Sequence, residues 1–507
     1  MNTPGTITPC FGRSSLKFTP RSIRSAVLLA CFIFLLQATP LLETRWVEDE
    51  NWYGCIGYTL RTEGRMRNPV LPDTDIESHV DAHPPGLALT VAADTAIFGT
   101  GATQFRISSI MAGLGLVLAF FLLGEELMGP AAGALAALLA ATDTFVLIAS
   151  RTVRPEVYVA CFGTLAVWLF FRARRTNSTL LTLLSGLFVG LAMNFHPNGI
   201  AICASLGLLL LFEFRVRILR APRFWAFVAG SVLALVPFVT WVVSGPERMQ
   251  AFRQLWGRGS QMTAGMLITF EKARYSDFLG LGSTRVPLPV PLPVRIHIVA
   301  AIAIAAFLLW RSNRKLLGEM LVLTIPSMLF WTVQVNPASR FFAILAPYIV
   351  VVLVAGAIEF GRSAVRMRIA MAVLFVIALS QIAGNAFFIW RSRPADYRAV
   401  TSGLRAIVPP GAKVFGALTF WLAFYDRPYL SYNRMPLDYA LRHGAQYLIT
   451  NDRVMMNGTG YGDNMFSLLR DQTIAFAHSR CQLVGKVSNS FYGDLEIYRV
   501  LDLNAEP

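Results

Sequence analysis

Residues 25–42 run SAVLLACFIFLLQATPLL, eighteen positions without a charged side chain. A helix needs about 20 largely uncharged residues to cross a hydrocarbon core of roughly 30 Å, and this stretch approaches that length. Arg13, Lys17, Arg21 and Arg24 precede it. A cleaved signal peptide is the competing reading, but Leu36-Gln37-Ala38 is a poor cleavage site because leucine is not small. The run Leu28-Leu29-Ala30-Cys31 has a lipoprotein-like look, yet apolar sequence continues well past the cysteine. The block therefore reads as a retained first membrane helix.

Working outward, similar blocks recur near 106–123, 130–150, 155–171, 178–195, 198–214, 224–243, 295–310, 316–333, 341–360 and 368–390. With the first block they predict about eleven membrane-spanning helices. The stretch 86–98 is apolar but short, so it is expected at the interface or as a re-entrant segment. Composition agrees: 55% of the 507 residues are hydrophobic and 15% charged, and the mean hydropathy is +0.52. Soluble domains carry roughly a quarter charged residues, so a chain dissolved in water is excluded. The net charge of +15 sits in short clusters between apolar blocks, which marks topology rather than a nucleic-acid surface.

Short cytoplasmic loops are rich in Lys and Arg. Alternate loops hold Arg172/Arg174/Arg175, Arg215/Arg217/Arg220/Arg223, Arg311/Arg314/Lys315 and Arg362/Arg366/Arg368. The loop 124–129, with Glu125 and Glu126, is the one exception. This pattern puts the N-terminus in the cytoplasm and the C-terminus outside. Residues 1–20, rich in Ser, Thr and Pro, are expected to be disordered. Residues 21–390 form the membrane domain, with long outer segments at 43–105 and 244–294. The second of these ends in the alternating prolines of 286–293, which favour an extended strut. From Arg391 the composition becomes that of a soluble α/β domain, 391–507, with strands expected at Lys413–Ala417, Gln446–Thr450 and Asp494–Val500. The predicted class is thus mainly α: a polytopic helical bundle carrying a C-terminal extracytoplasmic α/β domain.

The cysteines show no metal-ligand spacing, although Cys55 and Cys481 both fall outside the spans and could pair. Groups able to do chemistry collect on the outer face. Val47-Glu48-Asp49-Glu50-Asn51-Trp52-Tyr53 follows the first span; a solvated loop is the plain account, but Trp46, Trp52 and Tyr53 would hold its carboxylates at head-group level. Arg151-Thr152-Val153-Arg154-Pro155-Glu156 ends the third span and starts the fourth, with Pro155 opening a helix. There Arg154 and Glu156 would at least neutralise each other. His83-Pro84-Pro85-Gly86 and His196-Pro197-Asn198-Gly199 place two histidines at stiff turns, where a structural role is the commoner one. Arg340-Phe341-Phe342 opens the tenth span, and Arg340 would at least snorkel to the interface.

In order, spacing and shared outer location, these elements resemble the C-type glycosyltransferase superfamily. The elements are Asp49-Glu50 before a helical run Trp52–Arg61, a Pro-Pro element, an Arg-Pro-acid triplet, and Arg-Phe-Phe before a helix containing Pro347. Within the superfamily the chain is similar to bacterial aminoarabinose transferases and protein O-mannosyltransferases, which take sugars from polyprenyl phosphates. The resemblance covers about residues 25–360; the C-terminal domain matches only in position. It implies that Asp49 is the catalytic base, with Glu50 as the fallback, and that Arg154-Pro155-Glu156 stands where the family commonly has Arg-Pro-Asp. A Lys-Pro-Pro element whose lysine contacts the lipid phosphate corresponds to His83-Pro84-Pro85. Histidine is mostly neutral at pH 7, so Arg151, Arg154 and Arg340 are expected to supply fixed positive charge beside His83. His196 is a further candidate. The resemblance implies a polyprenyl-phosphate sugar donor, an envelope lipid, glycan or protein acceptor, and a place in the cell's inner membrane among its lipids. A divalent cation stays open, because some relatives use one. Two other classes compete: a transporter or flippase of envelope precursors, which would keep ionisable residues near the bilayer midplane, and a non-catalytic envelope scaffold. The spans hold few such residues, Asp143 being the main exception.

Overall fold

The computed structural model describes residues 19–71, 84–246, 248–250, 253, 263–281, 283–284, 290–291, 295–334, 341–433, 435–451 and 463–501. Order begins earlier than expected. The Thr19 hydroxyl accepts the Ser22 N–H at 3.2 Å and Pro20 opens the helix Pro20–Ala38, a position where its missing N–H costs nothing. The rest of the segment expected to be disordered, 1–18, lies outside the described residues.

Among the described residues, eight helices are long and apolar enough to cross a membrane: Pro20–Leu41, Ala102–Met128, Glu156–Thr176, Gly199–Arg220, Pro222–Val243, Arg314–Thr332, Phe342–Phe360 and Ala364–Ser392. The chain is a multi-pass membrane protein. Two further expected spans are 17-residue helices, Thr179–Phe195 and Ile296–Ser312. The expected span 130–150 is instead two helices, Pro130–Thr142 and Thr144–Ser150, meeting at 63°. Asp143 breaks it: its backbone is extended, and its carboxylate caps the second helix by accepting the N–H groups of Phe145 and Val146 at 2.9 and 3.1 Å. Short acidic side chains compete with the helix ladder in this way. Asp143 also pairs with Arg295 at 2.8 Å, a polar contact to the start of the helix Ile296–Ser312.

Packing is close where glycines face backbone. A β-carbon at Gly186 on Thr179–Phe195 would collide with the Phe227 carbonyl oxygen on Pro222–Val243, the small-residue contact typical of membrane helices. The acidic stretch 124–129, expected as a loop, is mostly the end of the helix Ala102–Met128, at the same end of the bundle as the basic loops. Glu126 accepts from Arg172 and Arg175 at 3.2 and 3.0 Å, and Arg174 pairs with Glu213 and Glu319 at 3.2 and 2.8 Å. The exception in the charge pattern is thus a set of counterions.

Beyond the last span a five-stranded sheet forms in the order Tyr429–Ser431, Val414–Gly416, Tyr447–Asn451, Gly493–Val500, Cys481–Asn489. The first three strands are parallel and the last two antiparallel. Three of these strands were expected; Tyr429–Ser431 is short, and Cys481–Asn489 carries a bulge between Leu483 and Gly485 that breaks its alternation. Of the proline-rich strut, the described Val290 and Pro291 pair antiparallel with Ser283–Thr284. Cys55 and Cys481 are not joined as a disulfide, and the buried Cys55 thiol meets Asn68 Oδ1 at 3.2 Å.

Candidate active site

After the first span the chain reverses at Arg45, whose backbone is left-handed (φ 49°), and enters the helix Glu48–Glu63. Asp49 and Glu50 therefore lie in a helix's first turn rather than in a loop before one. Free N–H groups and the helix dipole favour acids there, which is why the helix starts on them.

The two neighbours have different fates. Glu50 is fully buried. Its Oε1 accepts Arg106 Nε–H at 2.8 Å and the Val153 N–H at 3.0 Å; its Oε2 accepts Arg106 Nη2–H at 2.6 Å and the Val47 N–H at 3.3 Å. Arg106 Nη1 donates to the carbonyls of Leu41, Leu42 and Thr44 at 2.7, 3.0 and 2.8 Å. This knot ties the start of the acidic helix to the span Ala102–Met128 and to the turn before Pro155. With four donors on it and no exposure, Glu50 is committed to structure.

Asp49 keeps 38% of its side chain exposed while it pairs with Arg154 Nη1. Arg154 also donates Nη2–H and Nε–H to Glu156 Oε1 at 3.1 and 3.2 Å, and its guanidinium lies 5.7 Å from the Tyr53 ring centre. Burial disfavours its charge, but Asp49 and Glu156 more than offset that and hold its pKa above the ordinary arginine value. One arginine thus joins both acidic motifs. Pro155 precedes the helix Glu156–Thr176, with Glu156 buried in its first turn.

Arg151 lies elsewhere. It ends the helix Thr144–Ser150, with its guanidinium carbon 5.5 Å from the Phe388 ring centre, and its buried Nε and Nη1 have no hydrogen-bond partner among the described residues. Burial, then the neighbouring charges of Arg106 and Arg45, push its pKa down to about 9. It belongs to the Glu50 side of the site. His196 ends the helix Thr179–Phe195; its Nδ1 accepts the Asn198 N–H at 3.1 Å, and its ring centre is 6.1 Å from that of Phe341. That is a turn-forming role. His83 and Arg340 lie outside the described residues. Among the described residues no group of three His, Cys, Asp or Glu side chains could hold a metal ion.

Arg106 and Tyr53 were not singled out in the sequence as site residues. An arginine at the very edge of an apolar span was the available signal for the first; Tyr53 read only as an interfacial anchor.

The arrangement has the fold of the C-type membrane glycosyltransferases. Residues 82–243 match the family model described as dolichyl-phosphate-mannose-protein mannosyltransferase. Among solved structures the chain is similar to ArnT from Cupriavidus metallidurans bound to undecaprenyl phosphate, at 13% identity, TM-score 0.69, over 97% of this chain and 100% of that one. It is similar to oligosaccharyltransferase AglB from Archaeoglobus fulgidus in complex with an inhibitory peptide and a dolichol-phosphate, at 12% identity and TM-score 0.54, over 96% and 75% of the two chains. It also resembles the arabinofuranosyltransferase AftD from Mycobacteria, at 13% identity and TM-score 0.55, over 98% and 41%. By sequence, no curated protein matches at a significant level.

Proposed function

We propose that this chain is a membrane glycosyltransferase that moves a sugar from a polyprenyl-phosphate donor to an envelope lipid, glycan or protein acceptor on the extracytoplasmic face. The observation that carries the reading is the bridge from Arg154 to Asp49 and Glu156. Carboxylates from two distant motifs meet at one end of the bundle, and one of them, Asp49, stays accessible. A lipid-linked sugar presents its reactive carbon at the membrane surface, so a site at helix ends is where the chemistry must sit. The fold shared with ArnT and AglB, whose structures contain polyprenyl or dolichol phosphates, supports the donor class.

In this reading Asp49 is the general base. It takes the proton of the acceptor hydroxyl as that oxygen bonds to the sugar's anomeric carbon. The carbon's bond to phosphate oxygen breaks, and the polyprenyl phosphate leaves with the electron pair. Direct displacement inverts the anomeric configuration, as when a carboxylate base activates the nucleophile on the face opposite the leaving group. Glu50 is the weaker candidate because its oxygens are occupied. Arg154, shared by two carboxylates, orients Asp49 and Glu156. His83, Arg151 and Arg340 are the groups assigned to the leaving phosphate, for which guanidinium forks are suited.

The test is transfer from radiolabelled undecaprenyl-phosphate mannose, arabinose and aminoarabinose by the protein in lipid nanodiscs, with envelope lipid extract and membrane protein as acceptors. Wild type should release undecaprenyl phosphate and label one acceptor class, and Asp49→Asn should not. Equal activity in Asp49→Asn would remove Asp49 from the mechanism. Translocation of intact donor without cleavage would favour a flippase.

A further inference from the structure

The acidic helix Glu48–Glu63 is held from two sides. Asp49 and Glu50 bind it to Arg154 and Arg106 of the bundle. On its other side the buried Asn51 donates Nδ2–H to the Thr419 carbonyl at 2.6 Å, and the Tyr397 hydroxyl donates to the same carbonyl at 2.5 Å. Thr419 lies in the short helix Leu418–Phe424, which follows the strand Val414–Gly416 of the carboxy-terminal sheet. Tyr397 stacks on Trp46 with ring centres 5.6 Å apart, and the Trp46 carbonyl accepts the Tyr492 hydroxyl at 3.1 Å. Two backbone bonds close the junction, Arg45 N–H to Ala395 O at 3.0 Å and Tyr397 N–H to Glu43 O at 2.9 Å.

Each residue turns an α-helix by about 100°, so Asp49 and Asn51 are about 200° apart around the axis. The bundle holds one face of the first turn and the carboxy-terminal domain holds the nearly opposite face. A helix pinned on one face can roll; pinned on both, it cannot. At about 6 Å from the axis, a roll of about 10° moves a carboxylate by about 1 Å, and a displacement of that size can cost on the order of 100-fold in rate.

We propose that Asn51, with Tyr397 sharing its acceptor, is a positioning residue through which the carboxy-terminal domain sets the direction of the Asp49 carboxylate. The inference rests on the reading of Asp49 as the base. The site is then incomplete without the carboxy-terminal domain.

The full-length chain in nanodiscs tests this through Asn51→Ala and Tyr397→Phe, the second removing a single hydroxyl and serving where the first fails to fold. Two quantities are read. One is kcat and KM with undecaprenyl-phosphate mannose, arabinose or aminoarabinose, whichever wild type uses. The other is the rate at which a water-soluble carbodiimide modifies Asp49, followed by peptide mass spectrometry against the exposed Asp438. The expected result is a 10- to 100-fold fall in kcat with KM kept within threefold, together with at least a threefold change in Asp49 modification and none at Asp438. Unchanged kcat, or unchanged Asp49 modification, overturns the proposal. If wild type transfers none of the three sugars, the proposed function fails on its own and the modification rate alone decides whether Asn51 and Tyr397 position Asp49.

Discussion

Arg154 holds Asp49, 105 positions away in the chain, in a hydrogen-bonded ion pair at the Arg106 end of the bundle. Glu126 and its arginines occupy the other end of the same long helix, Ala102–Met128. The charged groups are therefore split between the two ends, and Asp49, partly exposed and proposed as the base, lies at the Arg106 end.

Asp49 and Glu50 should separate activity from stability although they are adjacent. Asp49→Asn should abolish sugar transfer and lower stability by no more than about 1 kcal/mol, since a partly exposed pair contributes little. Glu50→Gln should leave the buried Arg106 without a counter-charge, a loss of about 3–5 kcal/mol, and sharply reduce the folded fraction. Thermal unfolding in detergent alongside radiolabelled transfer checks both. The reverse assignment would make Glu50 the base.

The broken span depends on Asp143. Asp143→Ala removes both the cap on Thr144–Ser150 and the partner of the buried Arg295. About 3–5 kcal/mol should be lost from the ion pair, with roughly 1 kcal/mol more from the cap. Asp143→Asn keeps an oxygen for the cap and should fall between this variant and wild type in the same unfolding assay.

Gly186→Val should force apart the helices Thr179–Phe195 and Pro222–Val243, because the new β-carbon meets the Phe227 carbonyl. Overpacking of this kind costs about 1–3 kcal/mol. A lower melting temperature is expected, while Gly207→Val, where a β-carbon meets nothing within 4 Å, should melt like wild type.

Acid should weaken the carboxy-terminal sheet through Glu496. The Tyr498 hydroxyl donates to it at 2.7 Å and, with smaller help from His478 and Lys486 against burial, holds its pKa below the ordinary 4.5. A depressed carboxylate contributes stability that is present above its unfolded pKa and lost as pH falls through the folded one. The melting-temperature gap between wild type and Glu496→Gln should be full at pH 7, shrink below about pH 4.5 and close in stronger acid. A gap that is constant with pH would show that Glu496 acts only through its shape.

The bundle was legible because each apolar block must satisfy its own backbone hydrogen bonds within the membrane. Length and apolarity therefore marked helices such as Phe342–Phe360 one at a time. The break at Asp143 was not legible as a break: a single acid in an apolar run can cap a helix or sit within one, and Arg295 comes from a distant segment. The acids and arginines of the site were visible as types and positions. Their division of labour was not, since Asp49 and Glu50 differ by one position and by about 100° of helix rotation. By itself the sequence determined that this is a membrane bundle whose candidate-site motifs, the acids near Asp49 and the Arg-Pro-Glu triplet, share one end, because those are consequences of local composition and charge pattern. Which carboxylate is locked by Arg106, which stays open beside Arg154, and that Asn51 reaches Thr419 across 368 positions were decided only by the tertiary structure, because ion pairs and hydrogen bonds act over a few ångströms and sequence separation does not measure distance in space.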